Sequence, residues 1–302
     1  MRIAIEARHA TTRPTGLGTV AIELVRALAD VASDDELIVY APHPTPLEAL
    51  KERPNVTLAC PLPDSATRIR QLYWQYVTVP RDARRRGADL FHATSYVAPR
   101  RAPEPVVLTV HDVIALDHPE WCPRLNALHF RLALPKSIGR ARRAIVPTEA
   151  VRQRVMAHTG RPAETIDTIP HGVPSDLLEP ADPAIDAKRR RAMGIPDRYF
   201  LFLGNLEPKK NILHIAEAFT ELRRRNPNAP SLVLAGKKGW RHGAVLHKLS
   251  NFLGRDDVQW IGYVTAEKRA ALYRGAVSTL LVSREEGFGL PVIESMACGA
   301  PV

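Results

Sequence analysis

Cysteine is scarce in this chain, and long apolar runs are absent. Three cysteines occur among the 302 residues, and their positions fit neither paired zinc ligands nor a disulfide framework. No stretch approaches the roughly 18 consecutive apolar residues that a membrane span requires. The first residues enter a strand-like run at once, without the pattern of a signal peptide. We therefore expect a reduced cytoplasmic setting.

Acidic residues are outnumbered by basic ones. There are 32 Asp and Glu against 42 Lys and Arg, which gives a formal net charge of +10. Basic clusters at 84–86, 140–143, 188–191 and 223–225 are candidates for contact with an anionic membrane surface or a polyphosphate. A solvated arginine-rich surface explains the same clusters. No zinc finger, stacking-aromatic array or helix-turn-helix pattern accompanies the charge, so no nucleic-acid partner is expected.

Short β-rich runs alternate with longer helical patterns through the first half of the chain. This order predicts a mostly parallel α/β sheet covered by helices on both faces. With 45% hydrophobic residues, the chain can bury a sizeable core. Strands are expected at 2–6, 37–41, 56–59, 89–92, 106–110, 144–147 and 165–169, and helices at 19–31, 72–86, 125–141 and 149–159.

A proline-rich stretch interrupts the pattern, and a second alternating series follows. We predict a first domain at 1–172, a linker at 173–196 and a second domain at 197–302. Two doubly wound domains would enclose a cleft. The second sheet has few strand candidates, so we expect that the chain is cut before a further strand. Its strands are expected at 199–203, 231–235, 258–261 and 277–282, and its helices at 211–225, 244–253 and 266–274.

Two glutamates, Glu286 and Glu294, stand near the end of the chain after the last expected strand. Pro291 is placed to open a short helix that Gly299 would close, which puts Glu286 in the loop and Glu294 in the first helical turn. Ligands bind at the carboxyl edge of a parallel sheet, and carboxylates there could hold sugar hydroxyls. A helix-start preference and a solvated loop charge also explain the two residues.

Two basic loops are expected at the same edge of the second sheet. The first contains Gly204, Asn205, Lys209 and Lys210, and the second contains Lys237. Glycine lets the backbone approach a ligand, while lysine and the following helix N-terminus favour an anion. Ordinary turns with solvated lysines explain each loop by itself. Together with the two glutamates, the loops suit a nucleotide diphosphate that carries a polyol.

In the first domain, His111 and Asp112 follow an apolar strand. We expect His111 to emerge at the carboxyl end of that strand and to face the cleft. A structural histidine bonded to a neighbouring backbone group is the alternative. Gly16 and Gly18 lie between the first strand and its helix, where backbone amides could donate hydrogen bonds to a phosphate. A tight βα turn explains the two glycines too.

These motifs together resemble the GT-B retaining glycosyltransferases of family 4. The sequence Glu-Gly-Phe-Gly-Leu-Pro around the glutamate pair is similar to the family signature, and the loop at 204–211 resembles its phosphate loop. Other motifs fall in family order, namely Gly16 and Gly18, His111-Asp112 and 169–173. The resemblance spans essentially the whole chain.

The resemblance implies a role for each matching residue. Glu286 would bind hydroxyls of the donor sugar, and Glu294 the ribose hydroxyls. Lys210 would neutralise the diphosphate, whose growing charge is the main electrostatic demand of the transition state. His111 would reach the donor sugar from the first domain. Further donor-binding positions would be Gly16, Gly18, Gly204, Asn205, Lys209, Lys237, Gly287, Phe288, Gly289 and Leu290.

Many family members have an arginine where Asn205 stands. This departure leaves open whether Lys209, Lys237 or another residue supplies the second positive charge. The loop at 206–211 resembles that of bacterial mannosyltransferases of surface polysaccharide assembly, so GDP-mannose is the expected donor. A glycan or lipid-linked molecule is the expected acceptor. The resemblance implies no metal and no cofactor. The arginine clusters, without a membrane span, predict a cytoplasmic protein at the inner face of the membrane.

Other readings of the sequence remain. A GT-B epimerase or phosphorylase shares the architecture, although a phosphorylase would be longer and would carry a pyridoxal-phosphate lysine site. A truncated, non-catalytic paralogue that binds a nucleotide or a partner is the alternative outside enzymes.

Overall fold

The computed structural model describes residues 1–43, 45–63, 65–240, 242–253 and 255–302. The chain divides into two compact units. Unit 1 comprises Met1–Asp117 and Leu128–Gly172, and unit 2 comprises His118–Ala127 and Val173–Val302. A short segment, 118–127, therefore groups with unit 2, although the sequence on either side of it belongs to unit 1.

Unit 1 contains the strands predicted for the first domain and one additional short pair. The strands are β1 (Arg2–Glu6), β2 (Glu36–Tyr40), β3 (Pro42–His43), β4 (Val56–Leu58), β5 (Leu62–Pro63), β6 (Leu90–Ala93), β7 (Val106–Thr109), β8 (Arg143–Val146) and β9 (Ile166–Thr168). Within the described residues, the main sheet has the order β4-β2-β1-β6-β7-β8-β9, and β3 pairs with β5. Every pairing is parallel.

Helices cover both faces of the seven-stranded sheet, as the sequence predicts. Successive residues of β2 point to opposite faces, so that Leu37 and Val39 join one hydrophobic cluster while Ile38 and Tyr40 join the other. Trp74–Thr78 forms a π-helical turn between two α-helices of the predicted 72–86 run. The helices are α1 (Gly16–Val31), α2 (Arg68–Tyr73), α3 (Val79–Arg85), α4 (Ile114–Asp117), α5 (Arg124–Arg140) and α6 (Glu149–Thr159).

The prediction that Gly16 and Gly18 lie in a loop before the first helix is wrong. Helix α1 begins at Gly16 instead of Thr19, so Gly16 and Gly18 lie in its first turn. The need for glycine at position 18 is steric, because a Cβ there would stand 2.3 Å from the carbonyl oxygen of His9. Glycine thus lets the start of α1 approach the chain that leaves β1.

Unit 2 contains a smaller parallel sheet with the order β12-β11-β10-β13 in the described residues. Its strands are β10 (Tyr199–Leu203), β11 (Ser231–Ala235), β12 (Val258–Trp260) and β13 (Ser278–Thr279). Its helices are α7 (Ser175–Leu178), α8 (Pro183–Ala192), α9 (Ile212–Arg225), α10 (His242–Leu253), α11 (Ala266–Gly275) and α12 (Leu290–Ala297). Again two hydrophobic clusters form, one containing Phe202 and Leu234 and the other Leu201 and Val233.

The stretch at 173–196, for which the sequence predicts a linker, contains α7 and α8. Helix α8 packs on α11, where Arg274 Nε donates to Asp186 Oδ2 at 2.5 Å. Arg190 Nη1 also donates to the carbonyl oxygen of Ala271 at 3.1 Å. These contacts attach α8 to unit 2.

The predicted bounds of the last strand in unit 2 are wrong. The last strand is shorter than 277–282, since regular pairing is confined to Ser278–Thr279. The amide of Leu280 still donates to Leu201 at 2.7 Å, so the chain follows β10 a little further.

Candidate functional site

Glycines join three loops at the carboxyl edge of the smaller sheet. Gly204 follows β10, Gly236 follows β11 and Gly262 lies just beyond β12. A Cβ on Gly236 would stand 1.9 Å from the carbonyl oxygen of Gly204, and φ is +146° there. The Gly236 amide donates to the carbonyl oxygen of Gly262 at 2.7 Å. Because a side chain at 236 would collide with the neighbouring backbone, only glycine lets these loops meet.

The first two loops continue side by side beyond the glycines. The amide of Leu206 donates to the carbonyl oxygen of Lys237 at 2.9 Å, and the amide of Gly239 donates to the carbonyl oxygen of Leu206 at 3.2 Å. The ammonium of Lys237 lies 4.6 Å from the ring centre of Tyr263, a cation–π contact. The position of Lys237 is thus set by both its backbone and its side chain.

Lys210 and Glu286 are brought together as the sequence predicts. Lys210 Nζ donates to Glu286 Oε1, and Ser283 Oγ donates to the same oxygen at 2.6 Å. The amide of Arg284 donates to the carbonyl oxygen of Lys209 at 2.8 Å, which ties the two loops by their backbones. Ser283 was not anticipated, because a serine hydroxyl near a glutamate carries no distinctive sequence signal.

Glu286 carries a negative charge at neutral pH. Burial alone would raise its pKa, but Lys210, through its charge and hydrogen bond, and the Ser283 hydroxyl hold the pKa below its ordinary value. The side chains of Lys210 and Glu286 retain 15% and 21% exposure, so solvent reaches both. The pair therefore presents a cation and an anion side by side to a ligand.

Glu294 lies further along its helix than the sequence predicts, and it is buried. Helix α12 begins at Leu290, after Gly289 as N-cap, so Glu294 falls in the second turn and the first-turn prediction is wrong. It is 3% exposed. Arg269 Nη1 donates to Oε1 at 3.0 Å, and the Tyr273 hydroxyl donates to Oε2 at 2.7 Å.

Sequence reasoning missed Arg269 and Tyr273. They stand four positions apart on α11, a spacing that places two side chains on one helix face. That spacing was the available signal, but nothing in the sequence says that the face meets α12. Burial raises the pKa of Tyr273 well above its ordinary value, so its hydroxyl stays protonated and able to donate.

The remaining motif positions of unit 2 connect these groups. Asn205 Nδ2 lies 3.4 Å from Glu207 Oε1. Residues 287–289 carry the chain from Glu286 to α12, and Gly289 adopts a left-handed φ of +91°. The predicted donor-binding residues Gly287, Phe288 and Gly289 therefore form the connection from Glu286 to α12, and Leu290 is the first residue of that helix.

The 118–127 segment contributes a contact beside Glu286. His118 Nε2 lies 3.2 Å from Oε2 of Glu285, the residue directly before Glu286. The His118 ring stacks on Trp121 with ring centres 3.9 Å apart. No sequence pattern predicted this contact, because more than 150 positions separate the partners.

His111 is a buried residue of unit 1, whereas Lys210, Glu286 and Glu294 belong to unit 2. Its Nε2 lies 2.8 Å from the carbonyl oxygen of Thr94, and its Nδ1 lies 3.2 Å from His171 Nε2. Burial lowers the pKa of His111. Burial and the charge of the neighbouring His111 lower the pKa of His171 to about 4. Both rings are therefore neutral at physiological pH. The contact with Thr94 matches the structural alternative given for His111.

The described residues contain neither a metal-binding cluster nor a membrane-spanning helix. In 1–43, 45–63, 65–240, 242–253 and 255–302, His, Cys, Asp and Glu side chains form no group of three or more placed to hold a metal ion. In the same ranges, no helix is long and apolar enough to cross a membrane.

The architecture is the GT-B fold, with two Rossmann-like units built on parallel sheets. The crystal structure of Anabaena HepE in complex with UDP and glucose aligns with a TM-score of 0.72 and 21% identity, covering 100% of this chain and 80% of that chain. Residues 14–177 match the family described as Glycosyltransferase Family 4, and residues 186–302 match Glycosyl transferases group 1. The chain belongs to glycosyltransferase family 4.

Among curated proteins, the O-antigen chain mannosyltransferase B of Escherichia coli is 28% identical over 217 residues, which are 70% of this chain and 56% of that protein. A D-inositol 3-phosphate glycosyltransferase of Nocardiopsis dassonvillei is 29% identical over 221 residues, 68% of this chain and 50% of that protein. The chain spans about half the length of these two relatives.

Proposed function

We propose that this protein transfers a sugar from a nucleotide diphosphate sugar to an acceptor, with retention at the anomeric carbon. The observation that carries the proposal is the contact between Lys210 and Glu286, supported by Ser283. A fixed ammonium suits a diphosphate, and a fixed carboxylate suits the hydroxyls of the sugar attached to it. Membership of glycosyltransferase family 4 supports the same reaction.

In the proposed reaction, the bond between the anomeric carbon and the diphosphate oxygen breaks while the acceptor oxygen bonds to the same face. The acceptor proton passes to the departing phosphate oxygen. Lys210 stabilises the charge that grows on the leaving group, a contribution that is larger in the transition state than in the bound donor. Glu286 accepts hydrogen bonds from the sugar and need not act as a nucleophile.

The proposed donor is GDP-mannose, and the proposed acceptor is a glycan or lipid-linked molecule. Similarity to the O-antigen chain mannosyltransferase B supports mannose. The second relative is a D-inositol 3-phosphate glycosyltransferase, so a smaller phosphorylated polyol is a competing acceptor class. The roles of His111 at the donor sugar, of Gly16 and Gly18, and of Lys209 or Lys237 as the second cation stay predictions, as does the absence of a metal and a cofactor.

The test begins with nucleotide release from GDP-, UDP- and ADP-sugars, with and without lipid-linked acceptors. On the best donor, Glu286→Gln and Lys210→Ala should each lower kcat by about 100-fold or more, the effect of removing one preorganised electrostatic group. Glu217→Gln on α9 and Lys268→Ala on α11 are the matched controls, since both side chains are exposed. They should keep normal turnover.

Near-normal turnover of either site variant would remove that residue from the mechanism. Nucleotide binding without transfer by the unaltered protein would favour the alternative, a non-catalytic nucleotide-binding paralogue. Inversion at the anomeric carbon, read by NMR of the product, would contradict retention.

We further propose that unit 1 contacts an anionic membrane surface. Helices α2 and α5 expose apolar side chains, among them Ile69, Tyr73, Leu128 and Leu132. Exposed basic residues lie among them, namely Arg68, Arg70, Arg131 and Lys136. The Tyr76 hydroxyl, in the turn that follows α2, lies 3.2 Å from His129 Nε2 of α5, so this turn contacts α5. Exposed basic and apolar side chains together favour adsorption to anionic lipid.

A further inference from the structure

We propose that Arg269 and Tyr273 are positioning residues that hold Glu294 in place for a vicinal diol, the adjacent hydroxyls of the nucleotide ribose. The inference rests on the proposed function, in which Glu294 binds that ribose. It adds two residues of α11 that no sequence motif marks, and a role for α7 as their support.

Arg269 bridges two carboxylates on different helices. Its Nη1 donates to Glu294 of α12 at 3.0 Å, and its Nη2 lies 3.3 Å from each carboxylate oxygen of Asp176 on α7. The Arg269 side chain is 13% exposed and that of Glu294 is 5% exposed. The guanidinium is therefore held through both outer nitrogens, and it cannot swing away from Glu294 without breaking the contact with Asp176.

Tyr273 holds the other side of the same carboxylate. Its hydroxyl donates to Glu294 Oε2 at 2.7 Å, and the residue is fully buried. Each oxygen of Glu294 thus receives one of these two donors. An ionised carboxylate has about four acceptor positions, two on each oxygen. Arg269 and Tyr273 occupy one acceptor position on each oxygen. The second position on each oxygen remains, and these two positions match two adjacent hydroxyls.

The charge of Glu294 also depends on this arrangement. Burial raises the pKa of Glu294, while the Arg269 charge and the Tyr273 hydrogen bond oppose the increase. A protonated carboxyl group would lose an acceptor position and gain a donor. Arg269 therefore favours the form of Glu294 that can accept from both hydroxyls.

The experiment compares nucleotides that differ by a single ribose hydroxyl. Isothermal titration calorimetry would give Kd for GDP and 2′-deoxy-GDP, and for UDP and 2′-deoxy-UDP, with the unaltered protein and its variants. The unaltered protein should prefer at least one ribonucleotide over its deoxy form by about tenfold or more, as expected for a lost hydrogen bond to a charged group.

Tyr273→Phe and Arg269→Gln should each reduce this preference several-fold while changing 2′-deoxynucleotide binding little. Arg269→Lys keeps the charge but has only one nitrogen, so it should give an intermediate preference. A purely structural role would weaken both nucleotides equally and leave their ratio unchanged.

The matched control is Arg274→Gln. It breaks another arginine–aspartate contact of α11, the 2.5 Å bond to Asp186 of α8, and should leave the ratio at its original value. If Arg274→Gln lowers the ratio as much as Arg269→Gln, the inference is overturned, because general loosening of α11 would suffice.

Glu294→Gln separates this inference from the proposed function. If that variant keeps the full preference, or if the unaltered protein shows none, the role of Glu294 at the ribose fails and the positioning role fails with it. If Glu294→Gln loses the preference but Tyr273→Phe and Arg269→Gln keep it, only the positioning role is overturned. Tyr273→Phe removes one oxygen atom and guards against misfolding as the cause.

Discussion

Gly236 lies where a side chain would collide with the backbone of the neighbouring loop at the candidate site. A Cβ would collide with the Gly204 carbonyl oxygen at 1.9 Å, and the backbone φ of +146° disfavours any side chain. Gly236→Ala should lower stability by about 1–3 kcal/mol, the cost of a non-glycine residue in a sparsely populated conformation, plus the clash. It should also weaken nucleotide binding, because the two basic loops must separate.

Thermal unfolding and calorimetry with GDP measure the two effects. Gly243→Ala is the control, since among the described residues no heavy atom outside the adjoining helix backbone lies within 4 Å of a Cβ at that position in α10. That change should leave stability unchanged or raise it slightly, because alanine favours helix. Unaltered stability in Gly236→Ala would contradict the close loop contact.

A contact between two distant residues can be predicted from the sequence only when both residues follow parallel strands. Lys210 and Glu286 satisfy this condition, because the carboxyl ends of neighbouring strands lie at one sheet edge. Arg269 lies on a helix, and its partner Asp176 lies in the stretch expected to be a linker. Such contacts depend on how helices pack, which residue spacing within one helix does not determine.

Among the elements, α8 and α11 offer a contact whose strength depends on pH. Burial would raise the pKa of Asp186, but Arg274 holds it below the ordinary value of 3.8. The ion pair therefore stabilises the fold above that value, and its contribution is lost as the pH falls through the lower, folded-state pKa. Asp186→Asn should lower stability at pH 7 by about 1.5–3 kcal/mol, the range for a hydrogen bond to a charged group.

The measurement is the thermal midpoint of both proteins between pH 7 and pH 2. The difference between them should shrink toward the acid end as Asp186 becomes protonated in the unaltered protein. Glu221→Gln, which removes an exposed carboxylate on α9, is the control and should show little difference at any pH. A constant gap for Asp186→Asn would argue against the ion pair as the cause.

The bounds of several strands and of one long helix agree with those predicted from the sequence, because buried apolar runs and helical periodicity are local signals. The strands at 2–6, 199–203 and 231–235 have the predicted bounds, as has the helix at 149–159. The exceptions have physical causes. Helix α1 accepts two glycines in its first turn because close packing on His9 requires one of them. In the 277–282 run, hydrogen bonding to β10 extends only from Val277 to Leu280, so the regular strand is short.

For the whole molecule, the net charge of +10 overstates how much basic surface is available. Several arginines of the predicted clusters are already paired, including Arg86 with Asp82, Arg143 with Asp167 and Arg223 with Asp257. The proposed membrane contact therefore rests on the exposed surface of α2 and α5 more than on the clusters.

Co-sedimentation with vesicles tests the membrane proposal. The protein should bind vesicles that contain phosphatidylglycerol and should bind phosphatidylcholine vesicles weakly, since the basic residues add attraction only to anionic lipid. The double change Leu128→Ser and Leu132→Ser should reduce binding several-fold by removing apolar area. Val31→Ser, at an exposed apolar residue of α1, should have no effect. Equal binding to both vesicle types would contradict the proposal.

The grouping of 118–127 with unit 2 bears on how such proteins can be recombined. The chain passes from one unit to the other after residues 117, 127 and 172, so unit 2 is not one continuous piece of sequence. A chimera with a single junction near 173 would place a foreign residue at 285 beside the original His118. To keep both partners of this contact from one parent, the ten residues at 118–127 would have to travel with the C-terminal half.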